Sequence, residues 1–207
     1  MTEERIGPWR IRSKRSVYAN PWIEVVNHAV THPDGSDGQY GVVRFKNRAV
    51  GVLPVDAEGC VFLVGQHRFP LDAYSWELPE GGGALDEDPL AAAKRELAEE
   101  TGLVAGAWIE LASFDISNSV TDEKAVCYLA TDLTQGRGSP EPSEVLKIRR
   151  LPFAELLTEV LDGRIRDSLT IVMALTAEAR ALRGALPKPI STALLGKVAT
   201  RRPAKRP

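Results

Sequence analysis

The stretch "GGGALDEDPLAAAKRELAEETGL", residues 81–103, confines this chain more than any other. Asp88 is a good N-cap, Pro89 suits the first helical position, and Gly102 is a good stop, so the pattern predicts a helix over 89–101. Near its end sit Glu96, Glu99 and Glu100. The carbonyl end of a helix already carries about −0.5 of an elementary charge, and each carboxylate placed there costs roughly 0.3–1 kcal/mol. On a wheel of about 100° per residue, Glu99 falls about 60° to one side of Glu96 and Glu100 about 40° to the other. Leu90, Ala93, Leu97 and Thr101 form an apolar stripe beside this acid face. Two readings fit the wheel alone. The face could be solvated, with Lys94 and Arg95 as neighbouring partners, or the acids could be the oxygen ligands of a hard cation such as Mg²⁺ or Mn²⁺.

The surrounding sequence is rich in strand signals. "WIEVVNHAVTH" (22–32), "PDG" (33–35) and "QYGVVRF" (39–45) read as a hairpin, because Pro presets φ and Gly tolerates positive φ at the turn. Further strands are expected at 49–55, 60–66, 108–114, 125–131 and 145–151, and further helices at about 153–162 and 168–184. Strands outnumber helices and alternate with them, which gives an α+β chain: an α/β/α sandwich with a mixed sheet plus an N-terminal antiparallel β-subdomain. Three parts are expected: 1–48 as the hairpin subdomain, 49–186 as the main domain, and 187–207 as a flexible basic tail containing Pro.

Composition narrows the classes. With 26 basic and 28 acidic residues the net charge is −2, so no general affinity for nucleic acid is expected. No run approaches 18 apolar residues and the charged N-terminus lacks an apolar signal core, so neither a membrane span nor a signal peptide is expected. Cys60 and Cys127 lie in apolar strand-like runs and read as buried reduced thiols of a cytoplasmic protein. His67 reads as a strand-surface residue rather than a base.

From Gly81 the chain runs Gly, five residues, Glu87, seven residues, Arg95-Glu96-Leu97, one residue, Glu99-Glu100, one residue, Gly102-Leu103. This resembles the full box of the Nudix hydrolases at every specified position. The resemblance implies metal-dependent hydrolysis of a nucleoside diphosphate linked to another group. It implies Glu96 and Glu100 as metal ligands, Glu99 as ligand or base, and a backbone carbonyl near Glu80 or Gly81 as a further ligand. Gly81, Glu87, Arg95 and Gly102 would be structural, with Glu87 reaching back to Arg95 as an ion pair.

The group beyond the diphosphate must be read outside the box. The N-terminal extension resembles the subdomain that ADP-ribose and sugar-nucleotide pyrophosphatases use to dimerise and to grip the nucleoside. An extension of about 50 residues can hardly form its own core, so a homodimer is expected. Trp22 and Tyr40 resemble the aromatics that sandwich the base in such enzymes. Arg68 matches the family's substrate arginine, and Arg44 is a further substrate-binding candidate. In "GRGSPEPSEVLKI" the catalytic base is expected at Glu144, with Glu141 second. The ADP-ribose branch commonly carries a proline about fifteen residues beyond the box, where this chain has Asn118. "SNSVTDE" and "ELPEGGG" look closer to nucleoside diphosphate sugar hydrolases, with ADP-ribose as the alternative substrate. A Nudix-like binding module without catalysis is the remaining alternative, and such modules often lose the acids retained here.

Overall fold

Alternation of buried and half-buried side chains along residues 26–31 sets the geometry of the first sheet. In the computed structural model, which describes residues 4–136 and 146–196, β1 (Glu4–Ile6), β2 (Trp9–Ala19), β3 (Ile23–Thr31) and β4 (Asp37–Phe45) form an antiparallel sheet in that order. Strands β3 and β4 are the expected hairpin, turned at Gly35 with φ of 89°. The expectation omits β1 and β2. Strand β2 is exposed at nine of eleven positions, so its charged "RIRSKRS" run carries no alternation between core and solvent for a sequence reading to detect.

The main domain holds two further sheets. A mixed one runs β8 (Glu80–Ala84), β5 (Asn47–Pro54), β10 (Lys124–Gln135) and β9 (Leu103–Asp115), with β5 and β10 parallel and the other pairs antiparallel. An antiparallel one runs β11 (Lys147–Pro152), β6 (Cys60–Arg68) and β7 (Ala73–Glu77). Helix α1 (Pro89–Thr101) packs Ala92, Ala93 and Leu97 on Val50, Val52 and Tyr128. Leu53, Leu63, Leu78, Leu129, α2 (Phe153–Leu161) and α3 (Ser168–Leu182) share the larger core through Phe153, Leu156 and Met173. Residues 50–53 are buried on both faces of the sheet, which is why "VGVL" is uninterrupted by polar residues. Each large aliphatic side chain buried here stabilises the fold by about 1.5–3 kcal/mol.

Two sequence expectations change. Residues 188–195 are not tail: Lys188–Leu195 form α4, and Leu194 is 3% exposed in the larger core. Pro187 and Pro189 occupy the helix start, where their missing amides cost nothing, so the prolines that suggest a loop begin a helix instead. Residues 197–207 lie outside the described residues. Both cysteines are free, but Cys60 is only half-buried. Cys127 is buried, and desolvation pushes its thiol up to about 12, which keeps it protonated and unreactive.

Two long-range contacts position the site. The segment 117–122 is stitched to β4: Val43 donates to the Val120 carbonyl at 2.8 Å and Phe45 to the Asp122 carboxylate at 2.9 Å. At the other end, the buried amide of Leu78 donates to Oγ1 of Thr170 at 2.8 Å, across 92 residues. Thr170→Val keeps the shape but leaves that amide unpaired, and it should cost about 1–3 kcal/mol. Thr170→Ser keeps the acceptor and should cost only about 1 kcal/mol for the lost methyl. Urea denaturation of the two variants checks the difference, and equal losses would mean that the hydrogen bond is unimportant.

Candidate active site

Helix α1 begins and ends as its sequence dictates. Asp88 accepts from the amide of Leu90 at 3.1 Å, and Gly102 adopts the left-handed conformation with φ of 70°. The acid face lies against β8. The amide of Glu80 donates to Oε2 of Glu100 at 3.0 Å, and Glu100 is only 4% exposed. The Glu96 carboxylate presses on Gly81 so closely that a Cβ there would stand 2.4 Å from both its oxygens. Glycine at 81 is what lets backbone and carboxylate meet.

Arg95 supplies positive charge to this cluster. Its Nη1 donates to Glu96 at 2.7 Å and to Glu99 at 2.9 Å, while Nη2 donates to the Gly82 carbonyl at 3.0 Å and lies 3.5 Å from Glu87. Burial opposes its charge most, but the Glu96, Glu99 and Glu87 carboxylates together outweigh it, and its pKa is raised. One guanidinium therefore ties the loop before the helix, the helix itself and strand β8 together.

Arg68 is held on the other side of β8. Its Nε donates to both Glu77 oxygens at 3.1 and 2.9 Å, its Nη2 donates to Glu77 as well, and Nη2 reaches Glu80 at 3.0 Å. Asp167, the N-cap of α3, completes a group in which oxygens of Glu77, Glu80 and Asp167 lie within 4.8 Å of one another. Desolvation first, then the charges of Asp167 and Glu77, push the Glu80 carboxyl well above the usual range. These groups line a cavity of about 420 Å³ that also includes Arg164 and Arg166.

The remaining candidates sit on the N-terminal sheet. Tyr40 donates to the Ser119 carbonyl at 2.5 Å, and Arg44 lies 3.8 Å from Asp122. Both line an apolar cavity of about 300 Å³ together with Trp9 and His28. Trp22 is 64% exposed at the β2–β3 turn. The aromatic ring against Tyr40 is Trp9, edge-on at 5.5 Å, rather than Trp22. Glu144 and Glu141 lie outside the described residues.

Sequence reasoning missed Trp9, Glu77 and Asp167. Signals existed for two of them. Glu77 stands between Trp76 and Leu78 in an apolar strand, and a buried acid needs a partner such as the nearby Arg68. "DSLT" at 167–170 is an N-cap pattern. Trp9 follows a Gly-Pro pair in a charged run and carried no such signal.

The donor set suits a divalent cation: two carboxylates converge on a backbone segment whose carbonyls can join them, in a cradle that a Cβ at 81 would fill. Acid-bearing helix, glycine strand and mixed sheet together define a Nudix pyrophosphohydrolase, a class that generally uses divalent metals. The chain belongs to the Nudix family: the NUDIX domain model matches residues 45–170, and that of the nucleoside diphosphate sugar hydrolase N-terminal domain matches residues 9–43. It is 36% identical over 149 residues to an ADP-ribose pyrophosphatase of Mycobacterium tuberculosis, covering 70% of this chain and 71% of that protein. It is 29% identical over 214 residues to an ADP-sugar pyrophosphatase of Mus musculus, covering 94% and 96%. Its fold matches the crystal structure of an ADP compounds hydrolase with a TM-score of 0.76 at 20% identity, over 84% of this chain and 94% of that one.

Gly81→Ala should move the Glu96 carboxylate on the order of 1 Å. Misplacement on that scale lowers turnover by about a hundredfold. Steady-state kinetics beside a thermal melt check this: retained turnover would mean that the close approach has no functional role.

Proposed function

We propose that this chain hydrolyses the pyrophosphate bond of a nucleoside diphosphate sugar, releasing a nucleoside monophosphate and a sugar phosphate, with ADP-ribose as the alternative substrate. The observation that carries the reading is the convergence of Glu96 and Glu100 on the Glu80–Gly81 backbone. The two relatives named for ADP-ribose and ADP-sugars support the substrate class.

In this reading Glu96, Glu100, Glu99 and a carbonyl at Glu80 or Gly81 hold Mg²⁺ or Mn²⁺. When bound, the cation neutralises diphosphate charge and makes a water more acidic. The chain's own contribution is placement. Arg95 and Glu87 fix the loop to the helix. Glu99, the most exposed of the three box acids by side chain at 34%, can accept a proton from solvent-side groups. Glu144 or Glu141 would be the base. Arg68, its Nε and Nη2 occupied by Glu77 and Glu80, has Nη1 without a hydrogen bond among the described residues and offers it to phosphate.

The base would stack at the N-terminal sheet with Trp22, Tyr40 and Arg44. Exposed Ile6, Val17, Tyr18 and Trp22 on that sheet support a homodimer that covers them. No helix among the described residues is long and apolar enough to cross a membrane; the free thiols of Cys60 and Cys127 support placing the enzyme in the cytoplasm.

Phosphate-coupled hydrolysis across a panel of nucleoside diphosphate sugars and ADP-ribose tests the proposal, and no turnover of any of them with Mg²⁺ or Mn²⁺ would remove it. Glu100→Gln should lose turnover by at least about a hundredfold with little loss of stability. Glu87→Gln should do less damage than Glu96→Gln, because it acts only on the loop. Excess chelator should abolish activity. Trp22→Ala should raise KM by up to about a hundredfold, since a base stack contributes about 1–3 kcal/mol. A monomer at micromolar concentration with unchanged KM in Trp22→Ala would exclude stacking across a dimer.

A further inference from the structure

Three carboxylates from three elements converge on the α3 side of β8. Glu77 ends β7, Glu80 begins β8 and Asp167 caps α3, and an oxygen of each lies within 4.8 Å of the other two. One guanidinium answers them: Arg68 donates from Nε to Glu77 at 2.9 Å and from Nη2 to Glu80 at 3.0 Å. The start of α3 adds only about half a positive charge. Arg164, on the cavity wall nearby, is engaged by Asp162 at 3.0 Å, and Arg166 is exposed. The cluster therefore holds more than one unbalanced negative charge, and Glu77 in it is only 2% exposed. Buried charge in excess is costly unless something pairs with it.

A second observation points to a ligand. Oε2 of Glu80 is fully buried and has no hydrogen-bond partner among the described residues. Its other oxygen takes the Arg68 donor. Asp167 uses Oδ2 for the Thr170 amide at 2.7 Å and keeps Oδ1 for another partner. A proton shared between two of the acids would cancel one charge. A divalent cation cancels two and takes a lone pair from all three acids. Carboxylate oxygens select a hard ion. Two oxygens on one ion stand no further apart than twice the metal–oxygen distance, about 5 Å for Ca²⁺ and about 4.2 Å for Mg²⁺. The 4.8 Å span suits Ca²⁺ as it stands, and the cavity of about 420 Å³ has room for the waters that complete its shell.

This cluster is separate from the box acids. The side-chain direction at Gly81 leads to Glu96, whereas Glu80 faces the other way, toward Asp167. An ion held here would join β7, β8 and the start of α3. The same junction is closed by the Leu78 amide on Oγ1 of Thr170 at 2.8 Å, so the ion would reinforce the docking of α3.

We propose that Glu77, Glu80 and Asp167 form a structural site for a divalent cation of Ca²⁺ size, distinct from the box acids, that staples α3 to the β7–β8 turn. The test is calorimetric titration of the chelator-stripped protein with CaCl₂, beside thermal melts with and without Ca²⁺. It needs no turnover, so its failure leaves the pyrophosphohydrolase reading standing. Glu96→Gln/Glu100→Gln removes the box ligands, and this variant should still bind one Ca²⁺ per chain and melt higher with Ca²⁺ present. Adding Asp167→Asn, which keeps the helix cap, should weaken that binding at least about tenfold and remove most of the rise in Tm. MgCl₂ should bind the site more weakly than CaCl₂. A box variant that takes up no Ca²⁺ at millimolar concentration would overturn the site, and so would undiminished binding after Asp167→Asn. Mg²⁺ binding as tight as Ca²⁺ would overturn the size assignment. Should the double variant fail to fold, Asp167→Asn alone decides: one Ca²⁺ fewer per chain than wild type supports the site, and unchanged stoichiometry overturns it.

Discussion

Three carboxylates near the carbonyl end of α1 repel one another and the helix dipole alike, and the Arg95 guanidinium is what allows them to stand together. It reaches Glu96, Glu99 and Glu87 and also donates to the Gly82 carbonyl. A planar fork can hold several acceptors in fixed directions, which a lysine ammonium at the same place could not do. Attraction alone would collapse the acids onto Arg95. Glu100 escapes that by pairing with the amide of Glu80, and Glu96 is wedged against Gly81. The acids are thus spread over a backbone edge rather than neutralised in one bundle.

Helix α1 was legible because every signal for it is local. Asp88, Pro89 and Gly102 act within a turn of themselves, and the placing of three acids on one face follows from helical spacing. Strand β8 was not legible, because Glu-Gly-Gly-Gly-Ala has no alternation and glycine is unfavourable in a strand interior. It is a strand because β5 pairs with it from Asn47 to Gly51 and because α1 requires close approach. Strand β2 was hidden by its exposed charges, and α4 by prolines that read equally as loop or helix start.

Site residues divide in the same way. Those of the box could be named from spacing. Glu77 and Asp167 could not be joined from sequence, since they are 90 positions apart and meet only when α3 docks on the turn before β8. Thr170 reinforces that docking by taking the Leu78 amide into a fully buried hydrogen bond. A buried polar contact of this kind rigidifies a fold only when every member is satisfied. Here the amide and hydroxyl oxygen match one for one.

Period-two geometry of a single strand then explains how the chemistry is divided. Successive residues of a strand face opposite sides. At Gly81 the side-chain direction points to α1 and the Glu96 carboxylate; at Glu80 it points to α3, with Asp167, Glu77 and Arg68. Residues 80 and 81 therefore put an acid-rich edge on one side of β8 and a mixed polar cavity on the other, while their shared backbone borders both. A side chain at 81 would block the first. An apolar side chain at 80 would leave Arg68 with Glu77 alone and strip the second of a carboxyl whose pKa burial and its acidic neighbours push above the usual range. The order Glu-Gly at these two positions thus shapes both sides of the strand at once, and reversing it would spoil both.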